Sequence, residues 1–143
     1  MTGILLVSHG GMAAGMLDSM DLIMGGCDQM AVESLIAGED FESFRTKIMA
    51  ATRKLDTGDG VLIFVDLYGA SPFNASVYAA AMLEKENIAV RVLAGMNLPM
   101  LLETAALRNS STLSDLVDIA SGAGKDGIAE PIQMEEEESD GDY

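Results

Sequence analysis

The 143-residue chain contains a single cysteine, a single histidine and no tryptophan. One cysteine excludes a disulfide within the chain. Together with one histidine it also excludes the usual zinc and iron–sulfur ligand sets, so we expect no metal and no other cofactor. No apolar run approaches the roughly 20 residues of a membrane-spanning helix, and residues 1–4 lack the basic and apolar segments of a secretory signal. These absences predict a cytoplasmic protein.

Basic residues are also scarce, because 8 Lys and Arg stand against 23 Asp and Glu, a net charge of −15. Such a chain lacks the positive surface that binds nucleic acid or anionic membranes, and suits partners with basic surfaces. The acidity is concentrated in residues 130–143, which hold seven acidic residues and no basic ones. We predict one folded domain over residues 1–133 and a disordered acidic tail over residues 134–143.

Apolar runs alternate with helical patterns along the chain. The runs predict strands at residues 4–7, 30–36, 61–65 and 88–94, and the helical patterns cover residues 12–24, 40–55, 71–86, from 98, and 111–122. This alternation predicts an α/β fold: a single, doubly wound, mainly parallel sheet with helices on both faces. A short last strand at residues 128–134 contains Pro131, which favours an edge strand or one exchanged in a dimer.

Three local patterns carry further predictions. The methionines at positions 12, 16, 20 and 24 have helical spacing and are predicted to pack in the core. Ser71 before Pro72 predicts the N-cap of the third helix. Gly122 predicts the end of the last helix.

Polar residues follow two of the predicted strands, where parallel α/β sheets bind their ligands. His9 follows the first strand at a helix N-terminus, whose free N–H groups suit a phosphoryl group attached nearby. Imidazole is a good nucleophile at neutral pH. Asp66 follows the third strand, and there it would accept a hydrogen bond from the imidazole and fix its tautomer. We therefore predict His9 as nucleophile and Asp66 as its orienting group.

The neighbouring loops offer groups that suit phosphate oxygens. Gly10, Gly69 and Ala70 are predicted to form a phosphate-binding loop, joined by the hydroxyl of Ser71. Asn97 follows the fourth strand, where we expect it to hold the rim of the site together.

Three segments carry a family resemblance: Gly3-Ile-Leu-Leu-Val-Ser-His-Gly, then residues 58–74, which include Val-Asp-Leu-Tyr-Gly-Ala-Ser-Pro-Phe-Asn, then Asn97-Leu-Pro-Met-Leu-Leu-Glu. They resemble the mannose-family IIA component of the bacterial phosphoenolpyruvate-dependent sugar phosphotransferase system, over about residues 1–130. Ala70 stands where that motif usually has a second glycine. No IIB segment follows, so we expect a stand-alone IIA component.

The resemblance implies a phosphoryl relay. His9 would be phosphorylated by the phosphocarrier protein HPr and would pass the group to a histidine of the IIB component. IIB then phosphorylates sugar that enters through the membrane components IIC and IID. Asp66 would be the partner of the histidine, Ser71 the hydroxyl beside the phosphate, and the protein a homodimer. The sugar and the phosphorylated ring nitrogen stay open at this stage.

Other functions remain as alternatives. The phosphotransfer subunit of phosphoenolpyruvate-dependent dihydroxyacetone kinases has a similar domain and the same chemistry. A receiver-like signalling module would be phosphorylated on Asp66, but receivers need two acidic residues after the first strand, where this chain has Ser8 and His9. A small binding domain without catalysis would accept no phosphoryl group at all.

Overall fold

Four strands and five helices make up residues 1–132, the part of the chain that the computed structural model describes. The elements are β1 (Gly3–His9), α1 (Met12–Met24), β2 (Met30–Leu35), α2 (Phe41–Leu55), β3 (Val61–Val65), α3 (Ser71–Glu84), β4 (Val90–Ala94), α4 (Leu98–Leu107) and α5 (Leu113–Asp126). The predicted domain boundary at residue 133 and the predicted acidic tail lie outside the described residues.

The strands form one parallel sheet in the order β2-β1-β3-β4. Helices α1, α4 and α5 cover one face, and α2 and α3 cover the other. All five residues of β3 are apolar and buried, because helices cover this strand on both faces of the sheet. The fold class is therefore confirmed as a doubly wound α/β domain with helices on both faces.

The strand order places a switch point between the two central strands. From β1 the chain moves outward to β2, and it then returns across β1 to form β3 on the other side. Neighbouring connections therefore diverge at the carboxyl ends of β1 and β3, which leaves a crevice there. The residues that follow these two strands are those that the sequence singled out.

Asp40 is the N-cap of α2. Asp40 Oδ2 accepts a hydrogen bond from the amide of Ser43 at 2.9 Å, which satisfies one of the free N–H groups of the first turn. Thr112 caps α5 in the same way through the amide of Asp115. The third helix ends at Glu84, two residues before its predicted end at residue 86. Strand β4 begins at Val90, two residues after its predicted start at residue 88.

The predicted end of α5 at Gly122 is wrong, because the helix continues to Asp126. Its glycines permit close packing instead of ending the helix. A Cβ atom at Gly124 would lie only 2.6 Å from Cε of Met100, and the Gly124 carbonyl accepts a hydrogen bond from Asn97 Nδ2 at 2.9 Å. Glycine lets α5 approach the start of α4 closely enough for that bond.

Only some of the four regularly spaced methionines of α1 pack in the core. Met20 is fully buried, and Met16 packs partly buried against the same core. Met12 and Met24 are exposed, contrary to the prediction. They are the first and last residues of α1, so the stripe is buried only in the middle of the helix.

The described part of the predicted last strand, residues 128–132, lies in no strand. Its remaining residues, 133 and 134, fall outside the description. Ile128 and Ile132 are both exposed.

Candidate functional site

His9 is the last residue of β1, and its side chain is about half exposed (49%). The chain turns sharply after it, because Gly10 has a positive φ of 53° that glycine adopts without strain. The amide of Gly10 donates to the carbonyl of Leu35 at 2.8 Å, which ties the turn to the end of β2. The imidazole therefore stands on a fixed turn and remains accessible.

Asp66 follows β3 directly, and its carboxylate contacts His9 twice. Oδ2 accepts a hydrogen bond from the His9 amide at 2.9 Å and lies 2.7 Å from the ring atom Nδ1. Oδ1 accepts a hydrogen bond from the amide of Leu67 at 3.0 Å. The Asp66 side chain is only 9% exposed, so these contacts hold the carboxylate in one orientation. The two predicted side chains thus meet at the switch point of the sheet.

The charge of Asp66 decides which nitrogen of the ring carries the proton. Burial alone would raise the pKa of Asp66, but hydrogen bonds from the amide and ring of His9, and from its own neighbouring backbone, lower the pKa below its usual value. Asp66 is therefore an ionised carboxylate at neutral pH, and its oxygens can only accept hydrogen bonds. Nδ1 must donate to it, which leaves the lone pair on Nε2.

The lowered pKa of Asp66 predicts a pH-dependent contribution to stability. In the unfolded chain an aspartate titrates near pH 3.9. The folded pKa is lower, so the ionised form stabilises the fold above the unfolded value, and this contribution is lost as pH falls through the folded pKa. The free energy of unfolding of the wild type should therefore exceed that of Asp66→Asn at neutral pH, and the gap should shrink below about pH 4.

Urea unfolding of both proteins between about pH 7 and pH 3 measures this gap. Asp59→Asn offers a control, since its carboxylate is exposed and pairs with the N-terminal amine rather than with His9. A gap between wild type and Asp66→Asn that stays constant or widens on acidification would contradict the assigned charge state.

Ser71 is the first residue of α3 and is exposed, and the predicted N-cap is wrong by one position. Ala70 is the N-cap, and no side chain caps this end of the helix. The hydroxyl of Ser71 makes no hydrogen bond within residues 1–132, so it is available to a ligand. Gly69 has a positive φ of 79°, and its carbonyl accepts a hydrogen bond from Asn74 Nδ2 at 3.2 Å. This loop therefore presents the start of α3 at the same sheet edge as His9.

Asn97 caps α4 and ties it to α5. Its Oδ1 accepts a hydrogen bond from the amide of Met100 at 3.2 Å, while Nδ2 donates to the carbonyl of Gly124. Both ends of the amide are therefore engaged in holding helices together. A role for Asn97 at the rim of the site stays a prediction.

Two features of the site were missed by sequence reasoning. The side chain of Ser8 is fully buried and accepts a hydrogen bond from the amide of Ala13. Leu67 and Tyr68 stand exposed beside Asp66, and the Tyr68 ring packs 4.5 Å from that of Phe73. Two large apolar residues after a strand-end aspartate were a signal for an exposed contact surface.

Neither a metal cluster nor a membrane span is found in the described chain. Among residues 1–132, no three His, Cys, Asp or Glu side chains come together as potential metal ligands. No helix in that range combines the length and apolar character needed to cross a bilayer.

Comparison with known proteins gives the family. The sequence model described as "PTS system fructose IIA component" matches residues 3–121, which is most of the chain. The chain belongs to this IIA family. The phosphotransferase-system resemblance of the three sequence segments is thereby confirmed.

This IIA component is 35% identical over 114 residues to the sorbose-specific EIIA component of Lacticaseibacillus casei, covering 80% of this chain and 79% of the relative. It is 33% identical over 135 residues to the mannose-specific EIIAB component of Escherichia coli K12, covering 91% of this chain but 41% of that longer protein. The crystal structure of an EIIA component from Streptococcus agalactiae superposes with a TM-score of 0.82 at 30% identity, covering 91% of this chain and 97% of the other.

Proposed function

We propose that this IIA component is a cytoplasmic phosphoryl carrier that works through His9. In this proposal His9 accepts a phosphoryl group from phosphorylated HPr and passes it to a histidine of a IIB component. IIB then phosphorylates a mannose-type sugar that enters through the membrane components. The observation that carries the proposal is the 2.7 Å contact between His9 Nδ1 and Asp66 Oδ2 at the carboxyl end of the sheet.

The proposed step is an in-line displacement at phosphorus. The Nε2 lone pair of His9 forms the new N–P bond while the N–P bond to the donor histidine breaks, and the electron pair of that bond returns to the donor imidazole. No proton needs to leave His9, because Nδ1 keeps its hydrogen. The phosphorylated ring is cationic, and the adjacent Asp66 carboxylate stabilises that charge. Transfer to the next histidine is the same step in reverse, so neither direction needs a strong base.

The loop groups around His9 suit the phosphoryl oxygens. The hydroxyl of Ser71 and the free amides at the N-terminus of α3 lie at the same sheet edge. The first turn of α1 begins three residues after His9 and adds the positive end of its helix dipole. In the proposal Gly10, Gly69 and Ala70 let the backbone approach the phosphoryl group, and Ser71 donates a hydrogen bond to it.

The receiver hypothesis is disfavoured by the hydrogen bonds of Asp66. A receiver aspartate needs a carboxylate oxygen free to attack phosphorus, whereas both oxygens of Asp66 already accept hydrogen bonds. The half-exposed imidazole is the accessible nucleophile of the pair.

An exposed apolar surface surrounds His9 and suits the docking of partner proteins. We call this surface the rim patch; it consists of Met12, Ile36, Leu67 and Tyr68, all exposed and all at the carboxyl edge of the sheet. Apolar anchors beside a reactive group are typical of protein interfaces. The acidic chain around the patch favours partners with basic residues near their own histidine.

Replacing Tyr68 by alanine should raise the KM for phosphorylated HPr by about tenfold and change kcat little, because a 78%-exposed ring contributes to docking and not to the step at His9. Steady-state phosphorylation at varied HPr concentration measures both constants. Leu22→Ala is the matched control, since Leu22 is 87% exposed but lies in the last turn of α1, at its far end from His9. Equal effects of the two substitutions would rule out the rim patch as the docking surface.

We also propose a homodimer in which the last strand is exchanged. Within residues 1–132, β4 pairs only with β3, so its outer edge is open. The segment after α5 carries exposed Ile128 and Ile132, and as far as residue 132 it pairs with no strand among the described residues. Pairing with β4 of a second subunit would cover both features.

Sedimentation tests the exchanged dimer and should give twice the 15.0 kDa chain mass. A chain shortened after residue 127 should sediment as a monomer. A monomeric full chain would refute the exchange.

Labelling with phosphoenolpyruvate, enzyme I and HPr tests the proposed function directly. The chain should take up one phosphoryl group that is stable in base and lost in acid, as phosphohistidine is. A label that is lost in base or hydroxylamine would indicate an acyl phosphate and support the receiver hypothesis. No label at all would leave only a binding function.

A further inference from the structure

Ser8 is a fully buried polar residue next to His9. Side chains alternate along β1, so Ile4 and Leu6 pack in the core beneath α1 while Leu5 and Val7 pack on the opposite face. Ser8 continues the series that faces α1. A buried hydroxyl at this position costs stability unless it is hydrogen-bonded.

The hydroxyl of Ser8 replaces a missing helix cap. Gly11 is the N-cap of α1 and has no side chain to satisfy the free N–H groups of the first turn. Ser8 Oγ accepts a hydrogen bond from the buried amide of Ala13 at 2.8 Å and donates a long one to the carbonyl of Gly10 at 3.4 Å. The cap therefore comes from the strand and spans the turn that carries His9.

Two contacts hold the first turn of α1 to the end of β1: the packing of Ala13 in the core beneath α1, and the Ser8–Ala13 hydrogen bond. The amide of His9 is bound to Asp66, and that of Gly10 to Leu35, but both bonds lie before Gly11, the residue from which α1 starts. A Cβ atom at either glycine would meet nothing within 4 Å, so no neighbouring atoms crowd the turn on that side. The Ser8–Ala13 hydrogen bond is the link across it.

We propose that Ser8 is a positioning residue for phosphoryl transfer: its buried hydroxyl fixes the first turn of α1 against the end of β1 and so sets the distance from the helix amides to the His9 ring. The inference rests on the proposed function of His9. By occupying the Ala13 amide, Ser8 also determines which N–H groups at this helix end remain free. Within residues 1–132, the amides of Gly11 and Met12 have no partner and stand closest in sequence to the imidazole.

Replacing Ser8 by alanine removes the link and leaves the ring of His9 in place. Transfer needs the phosphoryl oxygens and the ring to be aligned together, and a displacement of about 1 Å costs up to about a hundredfold in rate. We therefore expect Ser8→Ala to lower the kcat of His9 phosphorylation by roughly ten- to a hundredfold, with the KM for phosphorylated HPr within about twofold of wild type. Of the rim patch, only Met12 lies in the first turn of α1; Ile36, Leu67 and Tyr68 lie on other elements and keep their positions in the variant.

Ser76→Ala is the matched control. Ser76 is equally buried, but its hydroxyl donates to the carbonyl of Pro72 within α3, so its loss leaves no amide unpaired. We expect this variant to keep the wild-type kcat. Ser8→Thr keeps the hydroxyl and should restore most of the rate. If folded Ser8→Ala shows the same kcat as Ser76→Ala, the positioning role is overturned.

Nuclear magnetic resonance separates this inference from the proposed function. In Ser8→Ala the Ala13 amide should exchange with solvent faster, and the signals of the His9 ring and the Gly11 amide should shift; in Ser76→Ala all three should remain as in the wild type. These readouts need no phosphoryl donor, so they test Ser8 even if His9 is not phosphorylated. Unchanged Ala13 exchange and His9 signals in Ser8→Ala would overturn the inference by themselves.

Discussion

Replacing His9 by alanine should abolish phosphorylation of this protein by phosphoenolpyruvate, enzyme I and HPr. His9 is the only histidine in the chain, so no other imidazole can take its place. The fold should persist, because the side chain is half exposed at the end of a strand and contributes little to the core. Incorporation of radiolabelled phosphate and circular dichroism measure the two outcomes on the same sample.

His9→Gln provides a companion to the alanine variant, since glutamine retains a polar side chain but has no nucleophilic nitrogen. It should be as inactive as alanine. A folded His9→Ala protein that still incorporates phosphate at the wild-type level would contradict the assignment of the nucleophile.

Asp66→Ala should slow phosphoryl transfer by up to about 10⁴-fold, the loss known for a triad whose imidazole-orienting carboxylate is replaced. Without the acceptor at 2.7 Å, the proton of the neutral ring is no longer held on Nδ1, so Nε2 loses its lone pair for part of the time. The cationic phosphorylated ring also loses its counter-charge. Single-turnover phosphorylation by HPr gives the rate constant.

Asp40→Ala is the control for Asp66→Ala. Asp40 is also a carboxylate that accepts a backbone amide at the carboxyl edge of the sheet, but it caps α2 and does not contact His9. Its loss should weaken the start of α2 and leave the transfer rate unchanged. Comparable rates for the wild type and the Asp66→Ala protein would remove the proposed role of the carboxylate.

The pairing of His9 with Asp66 could be predicted from the sequence because it depends on a simple rule. Buried parallel strands are continuous apolar runs, and their carboxyl ends meet at one edge of the sheet. The polar residue that ends each run must therefore lie at that edge. The run at residues 61–65 located Asp66 as firmly as the first strand located His9.

Other contacts could not be predicted because they depend on which elements pack together. Gly122 was read as a helix stop, although α5 continues because Gly124 packs against α4. The hydroxyl of Ser8 caps a helix from a strand, five residues before the amide that it binds, and no local capping pattern describes that spacing. The N-cap of α3 was misplaced by one residue because Ser71 already has helical geometry.

The proposed transfer through His9 requires its ring proton to be on Nδ1, and the site of the N–P bond tests this most directly. Combined phosphorus and nitrogen resonance spectra of the protein, labelled with ¹⁵N at histidine and phosphorylated by HPr, report which ring nitrogen is bonded to phosphorus. The structure predicts coupling of phosphorus to Nε2, with Nδ1 still protonated against Asp66. Coupling to Nδ1 would contradict the account, because that nitrogen could not bind phosphorus and Asp66 together.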